Sequence, residues 1–99
     1  MSEQRTAQTG AEARQVLHNE AYKAAMVFLR EQIIAQWKAC PVRDREGQML
    51  LLQLAKLTDK FESILAGYVE AGKLAQHKID LDALRNEGKV KRNIRKVFG

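Results

Sequence analysis

Between Gly10 and Cys40, large apolar side chains recur at Tyr22, Met26, Leu29, Ile33 and Trp37, at intervals of four, three, four and four. That spacing predicts a helix with all five on one face. Leu17, Ala21, Ala24 and Phe28 form a second stripe, roughly 150° round the helix at about 100° per residue. One partner helix cannot cover both. The start is read at Thr9, because Thr9-Gly10-Ala11-Glu12 is a capping box: the hydroxyl accepts from the Glu12 amide and the carboxylate reaches back. Residues 1–9 before it are mostly polar and are expected to be a flexible arm.

Pro41 stops this helix, since the residue before a proline, Cys40, is pushed out of the α region. Residues 41–44 are then a short connection, with Asp44 as N-cap of a second helix. In that helix Leu50, Leu54, Leu57, Phe61, Ile64 and Tyr68 are spaced four, three, four, three and four, a heptad-like seam. Leu51, Leu65 and Val69 add a flanking stripe. Gly72 is read as the residue just past the helix end. So short a connection favours antiparallel neighbours. The expected fold is therefore all-α: an antiparallel hairpin of two long helices over residues 10–72, each arm roughly 40–45 Å long at about 1.5 Å per residue. Residues 73–99 follow as a short helical segment ending in a basic tail.

The second stripes need a cover, because leaving them wet forfeits about 25 cal/mol per Å². A third helix is one candidate, carrying Leu81, Leu84, Val90, Ile94 and Val97, but it is interrupted at Gly88 and becomes strongly basic. Self-association is the preferred reading, with Phe28, Leu51, Leu65 and Val69 at the contact between copies.

Charge changes the picture at one end only. The chain has 17 Lys and Arg against 12 Asp and Glu, for a net charge of +5. All twelve acids precede Gly88, and five bases follow it: Lys89, Lys91, Arg92, Arg95 and Lys96. Residues 1–87 are thus balanced, twelve against twelve, and the whole net charge sits on the last twelve residues. On a helix Lys91 and Arg95, and likewise Arg92 and Lys96, would share a face, with Val90, Ile94 and Val97 opposite. Such a segment suits nucleic-acid phosphate, with salt-sensitive and sequence-indifferent binding. It equally suits an acidic groove on a protein. An anionic membrane fits less well, because the apolar face is small and Phe98 is its one nearby aromatic. A solvated chain end is the plainest alternative.

Composition excludes more than it offers. At 45% apolar, with one Pro and six Gly, the chain reads as one small helical domain rather than a disordered or many-turned β-protein. The single Cys40 cannot form an internal disulfide and reads as a small hydrophobe near a helix end. No apolar run resembles a signal peptide or spans a bilayer, so a cytoplasmic setting is expected. No nucleotide-binding, zinc-protease or nucleophile-elbow motif is present. His18 and His77 fall in different segments, and Asp80 beside His77 makes neither a metal site nor a base for a nucleophile. Thr58 and Ser63 read as helix-face residues, Asp80 and Asp82 as caps of the last segment, Arg43 and Arg45 as solvated turn residues, and Trp37 as core packing. No enzyme, cofactor, metal or small-molecule substrate is expected.

One stretch has a familiar look. Tyr22 soon after Asn19-Glu20, Trp37 before the Pro41–Arg45 turn, and a Leu-rich second helix ending in Gly72-Lys73-Leu74-Ala75 resemble small helical proteins encoded among bacteriophage head and DNA-packaging genes. The resemblance covers residues 19–75. Small terminase subunits are similar in their oligomerising helical hairpin, though this chain lacks their N-terminal helix-turn-helix, so DNA contact would fall to the tail. Scaffolding proteins are similar in being helical and self-associating, often with a basic end that grips coat protein. The resemblance implies a homo-oligomer in DNA packaging or head assembly in a bacterial cytoplasm. The alternative is a protein-binding module, scaffold or inhibitor, whose tail docks on an acidic protein surface.

Overall fold

A computed structural model describes the backbone of residues 2–98 and the side chains of residues 2–87. The described residues form three helices, α1 (Glu3–His18), α2 (Glu20–Ala39) and α3 (Arg45–Phe98). α1 and α2 run one after the other back along α3, so the hairpin character is as expected. Its boundaries differ in three places.

The polar start is helical. Ser2 caps α1, its hydroxyl accepting from the Arg5 amide at 3.2 Å, so residues 3–9 are not an arm and the Thr9 box lies inside a helix. The expected single helix from Gly10 to Cys40 is broken at Asn19. This residue is extended, with φ −69° and ψ 127°. Its amide donates to the Val16 carbonyl at 3.0 Å, ending α1, while its side-chain oxygen accepts from the Tyr22 amide at 2.9 Å, starting α2. A short polar side chain that competes for backbone groups does both jobs.

The second turn follows the expectation. Cys40 is extended before Pro41, at φ −71° and ψ 128°. Asp44 caps α3, accepting from the Gly47 amide at 2.9 Å. Gln48 reaches back to the Cys40 carbonyl at 3.3 Å and closes the connection.

α3 does not stop at Gly72. It runs 54 residues, and the chain is 84 Å in its longest dimension against 25 and 14 Å in the others. No separate segment begins at residue 73, and Asp80 and Asp82 cap nothing. No described glycine has a positive φ. Gly72 instead allows close approach: its Cα faces Gly10 of α1, and a methyl on Gly10 would come within 2.7 Å of it. α1 lies tight on the C-terminal half of α3, and α2 stands further off its N-terminal half.

Two ion pairs mark this register. Lys78 donates to Glu3 at 2.7 Å, tying the start of α1 to α3. Arg30 of α2 pairs with Glu62 and lies 3.6 Å from Asp59. Hydrogen bonding to Glu62 is the main cause that holds the guanidinium above its ordinary pKa.

A body two helices thick has little interior. The buried apolar residues described are Ala13, Met26, Ile33, Leu51 and Ala75, joined by Thr58, whose hydroxyl donates to the Leu54 carbonyl at 2.8 Å.

Candidate functional site

The covered face of α3 is the stripe Leu51, Ala55, Thr58, Glu62, Leu65, Val69, Gly72 and Ala75, all buried or half-buried. Four of these are small, which is what lets α1 and α2 come close. The larger residues are left on the flank. Leu50, Leu54, Leu57, Phe61, Ile64 and Tyr68 are 43–64% exposed. The expected hairpin seam therefore faces outward and the expected flanking stripe faces inward.

Three of the four residues expected at a contact between copies are buried or half-buried within the single chain. Leu51 is buried within the chain, in a groove with Ile33 and Trp37. Leu65 is half-buried, and half-buried Val69 faces α1 beside Gly10 and Arg14. Of the four predicted residues only Phe28, at 61% exposed, stands free on the surface. The outward residues of α3 thus form a patch of large apolar side chains in heptad spacing.

Two residues of α2 border that patch. Tyr22 packs its ring 6.5 Å from Phe61, tilted by 45°. Leu29, seven residues on, occupies the same side of α2 and is itself exposed. The Tyr22 hydroxyl is buried with no hydrogen-bond partner among the described residues.

The basic end occupies the other part of the molecule. The start of α1 reaches α3 at Ile79, Asp82, Ala83 and Asn86. Beyond that level α3 continues to Phe98 with no described helix beside it. The predicted nucleic-acid residues Lys89, Lys91, Arg92, Arg95 and Lys96 lie outside the described side chains.

Residues weighed for chemistry are not brought together. His18 is exposed at the end of α1, its Nδ1 2.8 Å from the Arg14 carbonyl. His77 lies on α3 beside a shallow groove between α1 and α3, and Asp80 accepts from Gln76 at 3.0 Å. Among the described residues no three His, Cys, Asp or Glu side chains could hold a metal ion. Among the same residues no helix is long and apolar enough to cross a membrane. Trp37 is not core: it is 54% exposed at the lip of an apolar groove of about 190 Å³ formed with Ile33, Ile34, Leu51, Leu52 and Ala55. Cys40 is half-buried, its Sγ 3.8 Å from an Asp44 carboxylate oxygen. Burial first, and then that carboxylate, push the thiol above its ordinary pKa.

No protein-family model, curated protein or solved structure matches this chain.

Proposed function

We propose that this chain is a non-enzymatic, self-associating helical protein whose basic end contacts DNA through the phosphate backbone. Its setting would be phage head assembly or DNA packaging, which is what the resemblance over residues 19–75 implies. The observation that carries the reading is the separation of an exposed apolar stripe and an acid-free basic stretch along one helix. The first half of α3 presents an uncovered heptad seam, while its last stretch holds the whole net charge of +5 with no acid after Glu87. The seam supports association between copies, and the acid-free end supports electrostatic binding to phosphate.

The test is a titration of duplex DNA against the native chain and a variant with Lys89, Lys91, Arg92, Arg95 and Lys96 all replaced by Gln. Five phosphate contacts give a salt slope of about −4.5, a loss of roughly 500-fold in affinity between ~50 and ~200 mM salt. That loss in the native chain, with no binding by the Gln variant, supports the reading. Equal binding by both chains, or by neither, removes the DNA role. Tail-dependent binding to polyglutamate as tight as to DNA favours instead a tail that docks on an acidic protein surface.

A further inference from the structure

The uncovered seam has a symmetry that a single chain does not use. Its intervals of four, three, four, three and four read the same in both directions along α3. Two copies laid antiparallel, with a two-fold axis at the level of residue 59, set Leu57 against Phe61 of the other copy. The same operation sets Leu54 against Ile64 and Leu50 against Tyr68. Each pairing joins unlike positions of the heptad, as antiparallel helices require, and Leu57 and Leu50 each meet a larger aromatic partner.

We propose that two copies of this chain join through Leu50, Leu54, Leu57, Phe61, Ile64 and Tyr68 as an antiparallel, two-fold symmetric pair. This rests on the self-association reading and names its surface and geometry. The area is sufficient. At about 100 Å² for each half-exposed large side chain, the seam offers roughly 600 Å² per copy, the upper end for an apolar patch on a monomer. Two such faces bury roughly 1,200 Å², within the range of stable interfaces. Tyr22 and Leu29 border the seam and would be drawn into the contact.

Charge decides the direction. A parallel pair would put two acid-free ends of +5 side by side, within a Debye length of about 8–10 Å. The antiparallel pair separates them: with α3 rising about 1.5 Å per residue, the two basic ends lie ~100 Å apart at opposite tips of the rod. The interface is isologous and closes at two copies. The product is a two-ended arm that can hold two duplex segments, or two distant stretches of one.

The test uses the full chain. Light scattering of the native protein should give twice 11.3 kDa. Leu57→Glu, at a position 64% exposed and so outside the fold's own packing, should give 11.3 kDa with unchanged helical circular dichroism. Phe28→Glu, on the far side of α2, should leave the dimer intact. A dimer that survives Leu57→Glu overturns this surface while leaving self-association standing, whereas a native monomer at high concentration removes both. Direction is read from cysteines in a Cys40→Ser background. The double variant Leu50→Cys/Tyr68→Cys should cross-link two chains under mild oxidation, and neither single variant should, because like positions lie ~27 Å apart in the antiparallel pair. Cross-linking by either single variant, or none by the double, overturns the antiparallel arrangement.

Discussion

A methyl group built on Gly10 would stand 2.7 Å from the Cα of Gly72, and one built on Gly72 would stand 2.8 Å from the Cα of Gly10. The obstacles are backbone atoms, the Tyr68 carbonyl oxygen at 2.7 Å among them, so no side chain can swing away. Helix α1 can admit a methyl only by moving off α3. That movement would uncover Ala13 and Ala75, two of the few buried residues in the molecule.

Gly10→Ala and Gly72→Ala should therefore both destabilise, although Ala favours a helix by about 1 kcal/mol over Gly. Overpacking of this kind costs about 1–3 kcal/mol, and against rigid backbone atoms the cost falls at the upper end, so a net loss of up to about 2 kcal/mol is expected, roughly 4–8 °C in Tm for each kcal/mol. Gly67 is the control. It lies on the same helix with nothing within 4 Å of an added methyl, so Gly67→Ala should raise Tm. Thermal melts of the three variants check the opposite signs.

The ammonium of Lys78 donates to Glu3 at 2.7 Å, and that hydrogen bond is the first cause that raises its pKa above the ordinary lysine value. The folded pKa exceeds the unfolded one. The pair's contribution is thus complete below the ordinary lysine value and is lost as pH rises through the higher folded value. Protection factors of amides in the first turns of α1, taken relative to the hydroxide-catalysed rate of an unfolded chain, should fall across that alkaline window, and Lys78→Met should remove that fall. The effect is small, because both groups are open to solvent and salt. Hydrogen exchange of α1 between neutral and strongly alkaline pH reads it.

The thiol of Cys40 should be slow to react. Its pKa is pushed up by burial and by the neighbouring Asp44 carboxylate, and the thiolate is the nucleophile. Alkylation by iodoacetamide at mildly alkaline pH should run several-fold slower in the folded chain than in urea. Asp44→Asn keeps a capping oxygen for the Gly47 amide but removes the charge, so it should speed alkylation without unfolding α3. Equal rates in folded and unfolded chains would contradict the shift.

Much of the fold was legible where local chemistry decides it. Pro41 forces Cys40 to be extended, and Asp44 can cap only the helix that follows. The balance of charge before Gly88 needs nothing but counting. What periodicity misjudged was which stripe lies inside. It favours the largest apolar residues, so Leu50 to Tyr68 looked like the seam. Helices approach closest where residues are small, and Ala55, Thr58, Gly72 and Ala75 are what α1 and α2 rest on. Gly72 was misread for the same reason: a glycine suggests a left-handed helix end, yet here its use depends on Gly10, sixty-two residues away. The acid at Glu62 inside the covered stripe was the available signal, since Arg30 of α2 needs such a partner.

Asn19 carries the remaining lesson and a sharp test. An unbroken helix from Gly10 to Cys40 satisfies every intrahelical bond, so the break must be held by something else. The structure shows two bonds at one residue, from the Asn19 amide to the Val16 carbonyl and from the Tyr22 amide to the Asn19 side chain. Beyond the break α1 lies closer to α3 than α2 does, with Gly10 and Gly72 facing each other. Asn19→Ala removes the side-chain acceptor and costs about 1 kcal/mol as a lost cap. It also favours the straight helix, which sets the cap against the glycine contact. The variant should lose stability with its total helical signal unchanged or raised, and protection of α1 amides should fall more than that of α2. Asn19→Asp keeps the acceptor and should behave as the native chain does. If Asn19→Ala matches the native Tm and the native exchange pattern of α1, the break is not held by this residue, and the close seating of α1 must rest on Gly10 and Gly72 alone.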